Sequence, residues 1–364
     1  MFDISQYREL APCLFEDNIR KSMKTLISDL PEFGRFLSGV DGSRILADYM
    51  KVGSWVDFHR IALFEDLVPG LLESSSDGFE VEGIDNVESG KSYLFISNHR
   101  DTVLDCTLLG YALLNAGKNH VQPVLGSNLT DIGMIEPYLV LCGGVVVNRN
   151  LEMRELYKQS MLLSHYISDA ISSGYSSVWI AGGAGRSKDG VDNVKSSVLK
   201  MIMLGKDRSE TLSDYLGRIR IVPVSISYEY DPSDVIKAYA TANEHGNYVK
   251  TKKEDLFSIL KSLRQNKGRI CISLSKPVEP DFDDVEVLAK SIQDTIISNY
   301  KLFPINYYAY DKVNGSAEYA DKYDSDSMSG FFDKTRHLSE KVRMCHLNYY
   351  ANPVLSARNL KKGS

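Results

Sequence analysis

The residues with the clearest chemical potential lie in the stretch "YLFISNHRDTVLDC", between a β-rich run and an apolar helix-like run. His99 stands there with two carboxylates, Asp101 and Asp105, close after it. A histidine that bonds a carboxylate through one ring nitrogen can act as a general base with the other. Asp101 is equally well placed to cap the helix that follows, because helix N-termini expose free N–H groups. The stretch alone fits a catalytic base or a polar turn.

Two glycine-containing stretches further along could hold an anion. "GGVVVNRN" ends an apolar strand-like run at Arg149, and "VWIAGGAGRSKDG" opens into Gly185, Arg186 and Lys188. Backbone N–H groups in a flexible loop, together with cationic side chains, can cradle a phosphate or a carboxylate. Taken singly, each stretch also fits a surface turn with solvated charges. The second stretch is not a Walker A sequence, because it lacks Gly-Lys-Ser/Thr. It is not a G-x-G-x-x-G sequence either, because Lys188 takes the place of the last glycine.

A fourth stretch, "IRIVPVSISYEYDP", places Pro223 inside an apolar β run. Proline is tolerated in strands at sheet edges or bulges. A strand edge is at least as good an interpretation as a role toward substrate.

Short β-rich runs alternate with longer helical ones over residues 79–300, which predicts an α/β domain with a mixed, largely parallel sheet flanked by helices. Residues 1–78 are predicted to form an N-terminal helical segment, whose apolar face docks on the core. Residues 301–364 are predicted to be a C-terminal helical extension that packs on the domain. Within it, residues 315–330 are expected to form a loop and residues 331–353 a last helix.

Composition narrows the classes of protein. The chain has 364 residues, 43% hydrophobic and 25% charged, and a net charge of -6 that disfavours nucleic-acid binding. Five scattered cysteines without a C-x-x-C pair indicate a reducing compartment and neither a zinc site nor a disulfide framework. The N-terminus lacks signal-peptide features, and the apolar runs are shorter than the ~20 residues that span a bilayer, so membrane contact is expected to be peripheral. No metal or bound cofactor is indicated.

The order of these stretches resembles the four sequence blocks of the glycerolipid acyltransferase superfamily, the lysophosphatidate and glycerol-3-phosphate acyltransferases. The flanking sequences "GSNL", "VPVSISYEYDP" and "YYANPV" are similar to a bacterial branch of 1-acylglycerol-3-phosphate acyltransferase-like proteins. The resemblance extends over nearly the whole chain and implies the fold of that superfamily.

The resemblance implies acyl transfer from acyl-CoA or acyl carrier protein to the hydroxyl of a lysophospholipid-like acceptor, at the cytoplasmic face of the inner membrane. His99 would be the general base and Asp105 the carboxylate that orients it, with Asn98, Arg100 and Asp101 flanking them in the first block.

The other blocks imply the binding residues. Arg149 and Arg186, the latter next to Gly185, would hold an acceptor phosphate, and Pro223 would lie near the acyl donor. The residues themselves add Lys188 to the phosphate patch.

This sequence departs from the family's pattern at three places. The spacing from His99 to Asp105 is H-x5-D where the family has H-x4-D; positions i and i+5 lie about 140° apart on a helix, so we expect an irregular turn such as a π-bulge. Ala184 replaces the family's glutamate in the third block, and Val146 and Val147 are small for the second block.

The departures keep two alternatives open. One is a protein of this fold that binds lipid with little or no turnover. The other is an acyltransferase whose hydroxylated acceptor lacks a phosphate.

Overall fold

The structure is a computed structural model that describes residues 4–33, 51–129, 135–148, 150–243 and 252–363. Arg149, one of the proposed phosphate ligands, lies outside the described residues.

A seven-stranded sheet forms the centre of the molecule. Its strands are β1 (Gly78–Glu82), β2 (Leu94–Ser97), β3 (Val121–Gly126), β4 (Val145–Val147), β5 (Ser177–Ala181), β6 (Ile221–Tyr228) and β7 (Arg269–Leu274). The order across the sheet is β1-β7-β6-β2-β5-β3-β4. Every neighbouring pair is parallel except β6 and β7. The predicted mixed, largely parallel sheet is therefore confirmed.

The central strands are apolar on both faces because helices cover both sides of the sheet. All residues of β2 and β6 are buried, as expected for strands in a parallel sheet enclosed by helices. In the register of the sheet, Ser97 at the end of β2 pairs with Ala181 on β5 and with Val224 on β6. The loops that follow β2 and β5 consequently leave the sheet side by side at the same edge.

Helices precede, flank and follow the sheet. They are α1 (Glu16–Phe33); α2, which runs through Trp55–Phe58, a π-helical stretch His59–Leu67 and Val68–Ser75; α3 (Leu104–Asn115); α4 (Glu136–Leu141); α5 (Met153–Ser172); α6 (Ser196–Ile202); α7 (Leu212–Ile219); α8 (Asp234–Ala242); α9 (Lys252–Arg264); α10 (Val285–Ser298); α11 (Pro304–Asn314); α12 (Ser325–Asp333); and α13 (Glu340–Gly363). Among the described residues, none of these helices combines the length and the apolar character that crossing a bilayer requires.

The helical C-terminal segment is confirmed, but its predicted subdivision is wrong. Residues 325–333, placed partly in a loop, form α12, since Asp324 caps it by accepting a hydrogen bond from the Ser327 N–H at 2.8 Å. The last helix starts at Glu340, nine residues later than expected, and continues past Pro353 to Gly363. It packs against α11, α8 and α10.

Pro223 lies inside the sheet, so the strand-edge interpretation is wrong. It pairs with Ile96 on one side, and its carbonyl accepts a hydrogen bond from the Ser275 N–H, 3.0 Å away, on the other. The position of its missing N–H also faces this partner, so only one of the two hydrogen bonds that such a pair can exchange is formed. The proline stands just past Leu274, the last residue of β7, where the loss of one hydrogen bond is tolerated.

Candidate active site

His99 lies in a short connection between a strand and a helix. Strand β2 ends at Ser97, and α3 begins at Leu104, which puts Asp105 in the first helical turn. Residues 98–103 are non-helical. The expected irregular turn between His99 and Asp105 is therefore present, but it is not a π-bulge: the two residues do not share a helix, and the turn brings them together.

His99 and Asp105 form a hydrogen-bonded pair. The Nδ1 atom of His99 lies 2.8 Å from Oδ2 of Asp105, whose side chain is fully buried. The same oxygen accepts hydrogen bonds from the backbone N–H groups of Arg100 and Asp101, at 2.7 and 3.0 Å. The Tyr228 hydroxyl donates to the other oxygen at 3.0 Å. Because Asp105 acts as an acceptor throughout, it fixes the tautomer of His99 with the hydrogen on Nδ1.

The opposite side of the His99 ring is available for chemistry. The side chain is 17% exposed, and within the described part of the chain its Nε2 atom has no hydrogen-bond partner. The edge contact with Trp179, at 5.6 Å between ring centroids, steadies the ring. The carbonyl of His99 accepts a hydrogen bond from the Ser187 N–H at 2.8 Å, which ties the glycine-containing loop after β5 to this residue. With the hydrogen on Nδ1, the Nε2 atom is the ring nitrogen that can accept a proton.

Asp101 caps the helix. Its Oδ1 atom accepts hydrogen bonds from the N–H groups of Val103 and Leu104, at 3.0 and 2.9 Å. The carboxylate does not pair with Arg100, whose ionic partner is Asp192. Asp101 therefore starts α3 and leaves Asp105 as the partner of His99.

Asn98 joins the loop to the neighbouring strand. Its side-chain amide accepts from the Ile226 N–H at 2.8 Å and donates to the Ile226 carbonyl at 2.9 Å. The side chain thus continues the pairing between β2 and β6 beyond the last residue of β2. It anchors the residue immediately before His99.

Arg100 points away from the open side of the site, into the protein. It is 1% exposed, and its guanidinium donates to Asp192 at 2.5 Å, to the Gly190 carbonyl at 3.2 Å and to the Tyr349 hydroxyl at 3.1 Å. Burial raises the pKa of the Asp192 carboxyl, and the Arg100 charge opposes that rise. Arg100 is positioned to hold the loop in place.

Lys237, on α8, is a buried cation that sequence reasoning missed. Its Nζ atom lies 2.7 Å from Asp231, 2.6 Å from the carbonyl of Arg100 and 3.0 Å from the hydroxyl of Tyr349. Burial lowers its pKa, and the Asp231 carboxylate opposes that shift. In the sequence it is an ordinary helix lysine, and in the structure it is enclosed by residues that include Arg100 and Tyr349, far away along the chain.

The loop after β5 carries the predicted anion-binding residues. Gly185 has a φ of +79°, in the left-handed region that favours glycine. Arg186 donates to the hydroxyls of Ser233 and Ser258, at 3.1 and 2.9 Å. No described carboxylate forms an ion pair with Arg186, which agrees with the loss of the glutamate at Ala184.

Lys188 lies in the same loop with an exposed side chain, and its carbonyl accepts a hydrogen bond from Thr241 at 3.1 Å. The structure thus ties Arg186 and Lys188 to the His99 loop through Ser187.

An apolar cavity of about 420 Å³ opens beside the site. Thr102 and Val103, from the turn that links His99 to α3, and Leu104, the first residue of α3, form part of its wall. The rest comes from α2, α3, β3, α4 and α9. The sequence did not predict the cavity because its walls come from elements far apart along the chain. Part of the apolar face of α2, which was expected to dock on the core, lines this cavity instead.

One group of side chains among the described residues has spacing suited to a metal ion: Glu80, Glu82 and Cys271. The ammonium of Lys301 already lies 3.6 and 3.0 Å from the two carboxylates. The group is therefore compensated by an ion pair, at some distance in the sheet from His99.

Comparison with known proteins identifies one domain of the chain. Residues 78–227 match the family model described as Acyltransferase. The chain contains a domain of the acyltransferase family. The match includes β1 to β6 and therefore the loop with His99 and the loop with Arg186.

Proteins named glycerol-3-phosphate acyltransferase are similar to part of the chain. The relative from Pseudomonas paraeruginosa is 26% identical over 205 residues, 55% of this chain and 23% of the relative. The relative from Xanthomonas axonopodis pv. citri is 28% identical over 213 residues, 56% of this chain and 22% of the relative. The chain spans about a quarter of the length of these curated relatives.

The chain is also similar to a solved structure. The crystal structure of the 1-acyl-sn-glycerophosphate acyltransferase from Thermotoga maritima matches with a TM-score of 0.42 and 14% identity. The match covers 77% of this chain and 92% of that chain.

Proposed function

We propose that the protein is an O-acyltransferase that moves a fatty acyl group from acyl-CoA or acyl carrier protein to the hydroxyl of a lysophospholipid-like acceptor. The observation that carries the proposal is the pair of His99 and Asp105 at the edge of an apolar cavity, within an acyltransferase domain. The similarity to glycerol-3-phosphate acyltransferases supports a glycerolipid acceptor.

In the proposed reaction, Nε2 of His99 takes the proton of the acceptor hydroxyl. The hydroxyl oxygen attacks the thioester carbonyl, the carbon–sulfur bond breaks, and the imidazolium returns the proton to the leaving thiolate. Asp105 stabilises the imidazolium and holds the ring orientation, as the aspartate does in a serine hydrolase. No bound cofactor is proposed, because the thioester is already an activated acyl group.

The cavity is the proposed place of the acyl chain. Its volume of about 420 Å³ lies in the range of roughly 300–1,000 Å³ that is common for small-molecule sites. Because Thr102 and Val103 form part of its wall, a chain inside it could place its thioester next to His99. Removal of the chain from water would supply much of the binding free energy.

The acceptor phosphate is proposed to bind Arg186, with Lys188 and Arg149 contributing charge. Arg186 has hydroxyl partners and no described carboxylate partner, so its charge is not neutralised locally. A guanidinium in this state suits a phosphate ester. Pro223 is proposed to stand on the donor side, next to Ile96 of the strand that leads to His99.

Because the proposed substrates are lipids, the proposed reaction takes place at a membrane surface. We propose peripheral attachment to the cytoplasmic face of the inner membrane, where acyl donors are available from the cytoplasm. Acyl carrier protein is the proposed protein partner, and a role in nucleic-acid binding is not proposed.

A second function is favoured by one observation. Ala184 leaves the third block without its carboxylate, and Arg186 instead donates to Ser233 and Ser258. If this arrangement disables the acceptor site, the protein binds acyl chains without turnover. If it remodels the site, the acceptor is a hydroxylated lipid without phosphate.

An acceptor panel tests these functions. The full chain is incubated with radiolabelled palmitoyl-CoA or palmitoyl-acyl carrier protein and with lysophosphatidate, glycerol 3-phosphate or monoacylglycerol, and Ala184→Glu protein is run in parallel. Acylated lysophosphatidate from the wild type supports the main proposal. Product from monoacylglycerol alone indicates an acceptor without phosphate, and product only from Ala184→Glu indicates a disabled acceptor site. If neither protein forms an acylated product with either donor, the proposal of acyl transfer is contradicted.

A further inference from the structure

Two buried serines hold one end of the Arg186 guanidinium group. The Nη1 atom of Arg186 donates to the hydroxyl of Ser258 at 2.9 Å and to that of Ser233 at 3.1 Å. The two hydroxyl oxygens lie 3.3 Å apart, and Ser258 and Ser233 are 1% and 0% exposed. Because both serines are enclosed by protein, they can influence a ligand of the loop after β5 only through Arg186.

Neither serine makes the local hydrogen bond that its place in a helix favours. Ser233 stands at the N-cap of α8, where a serine hydroxyl usually accepts from a backbone N–H of the first turn, but it makes no such bond. Ser258 lies inside α9, where serine hydroxyls commonly donate to the carbonyl four residues earlier. Within the described residues, the partners of the Ser258 hydroxyl are Arg186 and Ser233. Both hydroxyls are therefore committed to the arginine and not to their own helices.

The other edge of the Arg186 guanidinium is open. In the part of the chain that the structure describes, its Nε and Nη2 atoms have no hydrogen-bond partner, and both retain surface that solvent can reach. These two nitrogens donate in parallel, in the geometry that matches two oxygens of a phosphate or a carboxylate. The group is thus anchored at one end and available to an anion along the opposite edge.

Neutral partners leave the charge of Arg186 in place. Two nearby cations are compensated, since Arg100 forms an ion pair with Asp192 and Lys237 forms one with Asp231. Burial lowers the pKa of Lys237, and the charge of Arg186 lowers it further, which shows that the two cations are close. Of these three cations, Arg186 is the one that has hydroxyl partners and no described carboxylate partner. Its charge is consequently left for a ligand.

Arg186 is tied to both halves of the candidate active site. The next residue in the chain, Ser187, donates from its backbone N–H to the His99 carbonyl at 2.8 Å. On the other side, Ser258 directly precedes Ile259, which lines the apolar cavity. The contacts of Arg186 and its neighbour therefore fix the arginine relative to the candidate base and to the wall of the proposed acyl-chain site.

We propose that Ser233 and Ser258 are positioning residues for the acceptor. They hold Nη1 of Arg186 so that Nε and Nη2 bind two oxygens of the acceptor phosphate, and they replace the carboxylate that the third block lacks at Ala184. This inference rests on the proposed acyl-transfer function. It extends acceptor binding to α8 and α9, which lie outside the residues 78–227 matched by the family model. A site of this kind gains affinity because its donors are held in place before the ligand arrives.

The test measures binding of glycerol 3-phosphate to the full chain by isothermal titration calorimetry, so that it does not depend on turnover. We expect Ser233→Ala and Ser258→Ala each to weaken binding about tenfold, because Arg186 loses an anchor. Arg186→Lys, which keeps the charge but not the pair of parallel donors, should weaken binding at least as much. The matched control is Ser262→Ala. Ser262 is also buried in α9, but its hydroxyl donates to the Ile259 carbonyl at 2.8 Å, so binding should not change.

Kinetics separates positioning of Arg186 from a general loosening of the fold. In a transfer assay with lysophosphatidate, Ser233→Ala and Ser258→Ala should raise the KM for the acceptor about tenfold. The KM for the acyl donor and kcat should stay close to the wild-type values, because neither serine contacts His99 or Asp105. A loosened fold would lower kcat and raise both KM values together.

Wild-type affinity for glycerol 3-phosphate in folded Ser233→Ala and Ser258→Ala would overturn the inference, as would an equal loss of affinity in Ser262→Ala. If neither serine variant folds, Arg186→Lys decides, since wild-type affinity in that protein contradicts binding through Nε and Nη2. Absence of glycerol 3-phosphate binding by the wild type would also overturn the inference.

The outcomes distinguish this inference from the proposed function. Transfer to lysophosphatidate with an acceptor KM that both serine variants leave unchanged would contradict only the role of Ser233 and Ser258. Binding of glycerol 3-phosphate that depends on the two serines, without transfer to any acceptor, would contradict the acyltransferase proposal and support the anion site at Arg186.

Discussion

The hydroxyl of Tyr349 lies 3.1 Å from the guanidinium of Arg100, a residue 249 positions earlier and next to His99. The same hydroxyl lies 2.5 Å from Asp231 and 3.0 Å from the ammonium of Lys237, which in turn donates to the carbonyl of Arg100. The last helix is thus connected directly to the loop that carries the candidate base. The C-terminal segment, outside the part matched by the family model, contributes to the geometry of the site.

Tyr349→Phe should destabilise the protein by about 1–3 kcal/mol, because three buried polar groups each lose a partner. The measurement is the free energy of unfolding in urea. The matched control is Tyr307→Phe, in α11, whose hydroxyl has no hydrogen bond within the described residues and whose loss should change little. Equal stability of the two variants would contradict the importance of the Tyr349 hydrogen bonds.

Tyr228→Phe should lower kcat about tenfold while the fold and the KM values stay close to those of the wild type. The substitution removes the hydroxyl that donates to Oδ1 of Asp105 at 3.0 Å, so the carboxylate that orients His99 is held less firmly. Steady-state kinetics with both substrates varied gives the split between kcat and KM. An unchanged kcat would show that the tyrosine is irrelevant to the orientation of the pair.

Arg186→Gln should raise the KM for a phosphate-bearing acceptor by about 10- to 100-fold, since it removes the charge that would hold the phosphate. The KM for the acyl donor should change little. Arg154→Gln, at the start of α5 and exposed, provides the control for loss of a positive charge. The proposal that Arg186 binds the phosphate would be contradicted by either of two results. One is that Arg186→Gln raises the KM for the acyl donor instead, and the other is that it leaves the KM for every acceptor unchanged.

His59 should make the protein sensitive to acid. Its pKa is about 3 in the folded state and near its ordinary value of 6.5 when unfolded, so between these values the unfolded chain binds more protons. Stability should therefore be fully present above pH 6.5 and should fall as the pH drops toward 3. At pH 5 the loss from this residue is on the order of 2 kcal/mol.

The acid sensitivity is measured as the free energy of unfolding between pH 7 and 4. His59→Phe should flatten this dependence, whereas His165→Phe, in a partly buried position, should retain it. A wild-type profile that is already flat over this range would contradict a neutral buried His59.

The sequence was sufficient to predict the parts of the structure that depend on local pattern. Alternating apolar strands and helices predicted the mixed sheet, and the resemblance to the acyltransferases, not the spacing, singled out Asp105 as the partner of His99. The H-x5-D spacing correctly excluded a regular helix between the two residues, but the suggested π-bulge is wrong because α3 starts only at Leu104, after His99. Lys237 and the cavity were missed for a different reason: both are created by contacts between segments far apart in the chain, which local patterns do not encode.

The most direct test of the central claim is the rate of acyl transfer from palmitoyl-CoA to lysophosphatidate by the wild type and by His99→Ala. The two proteins should have the same thermal unfolding midpoint, because His99 is partly exposed and Asp105 keeps its backbone and Tyr228 partners. We expect the wild type to form phosphatidate and His99→Ala to be slower by about 10²–10⁴-fold, the usual contribution of a general base. A His99→Ala protein that transfers acyl groups at the wild-type rate would contradict the account.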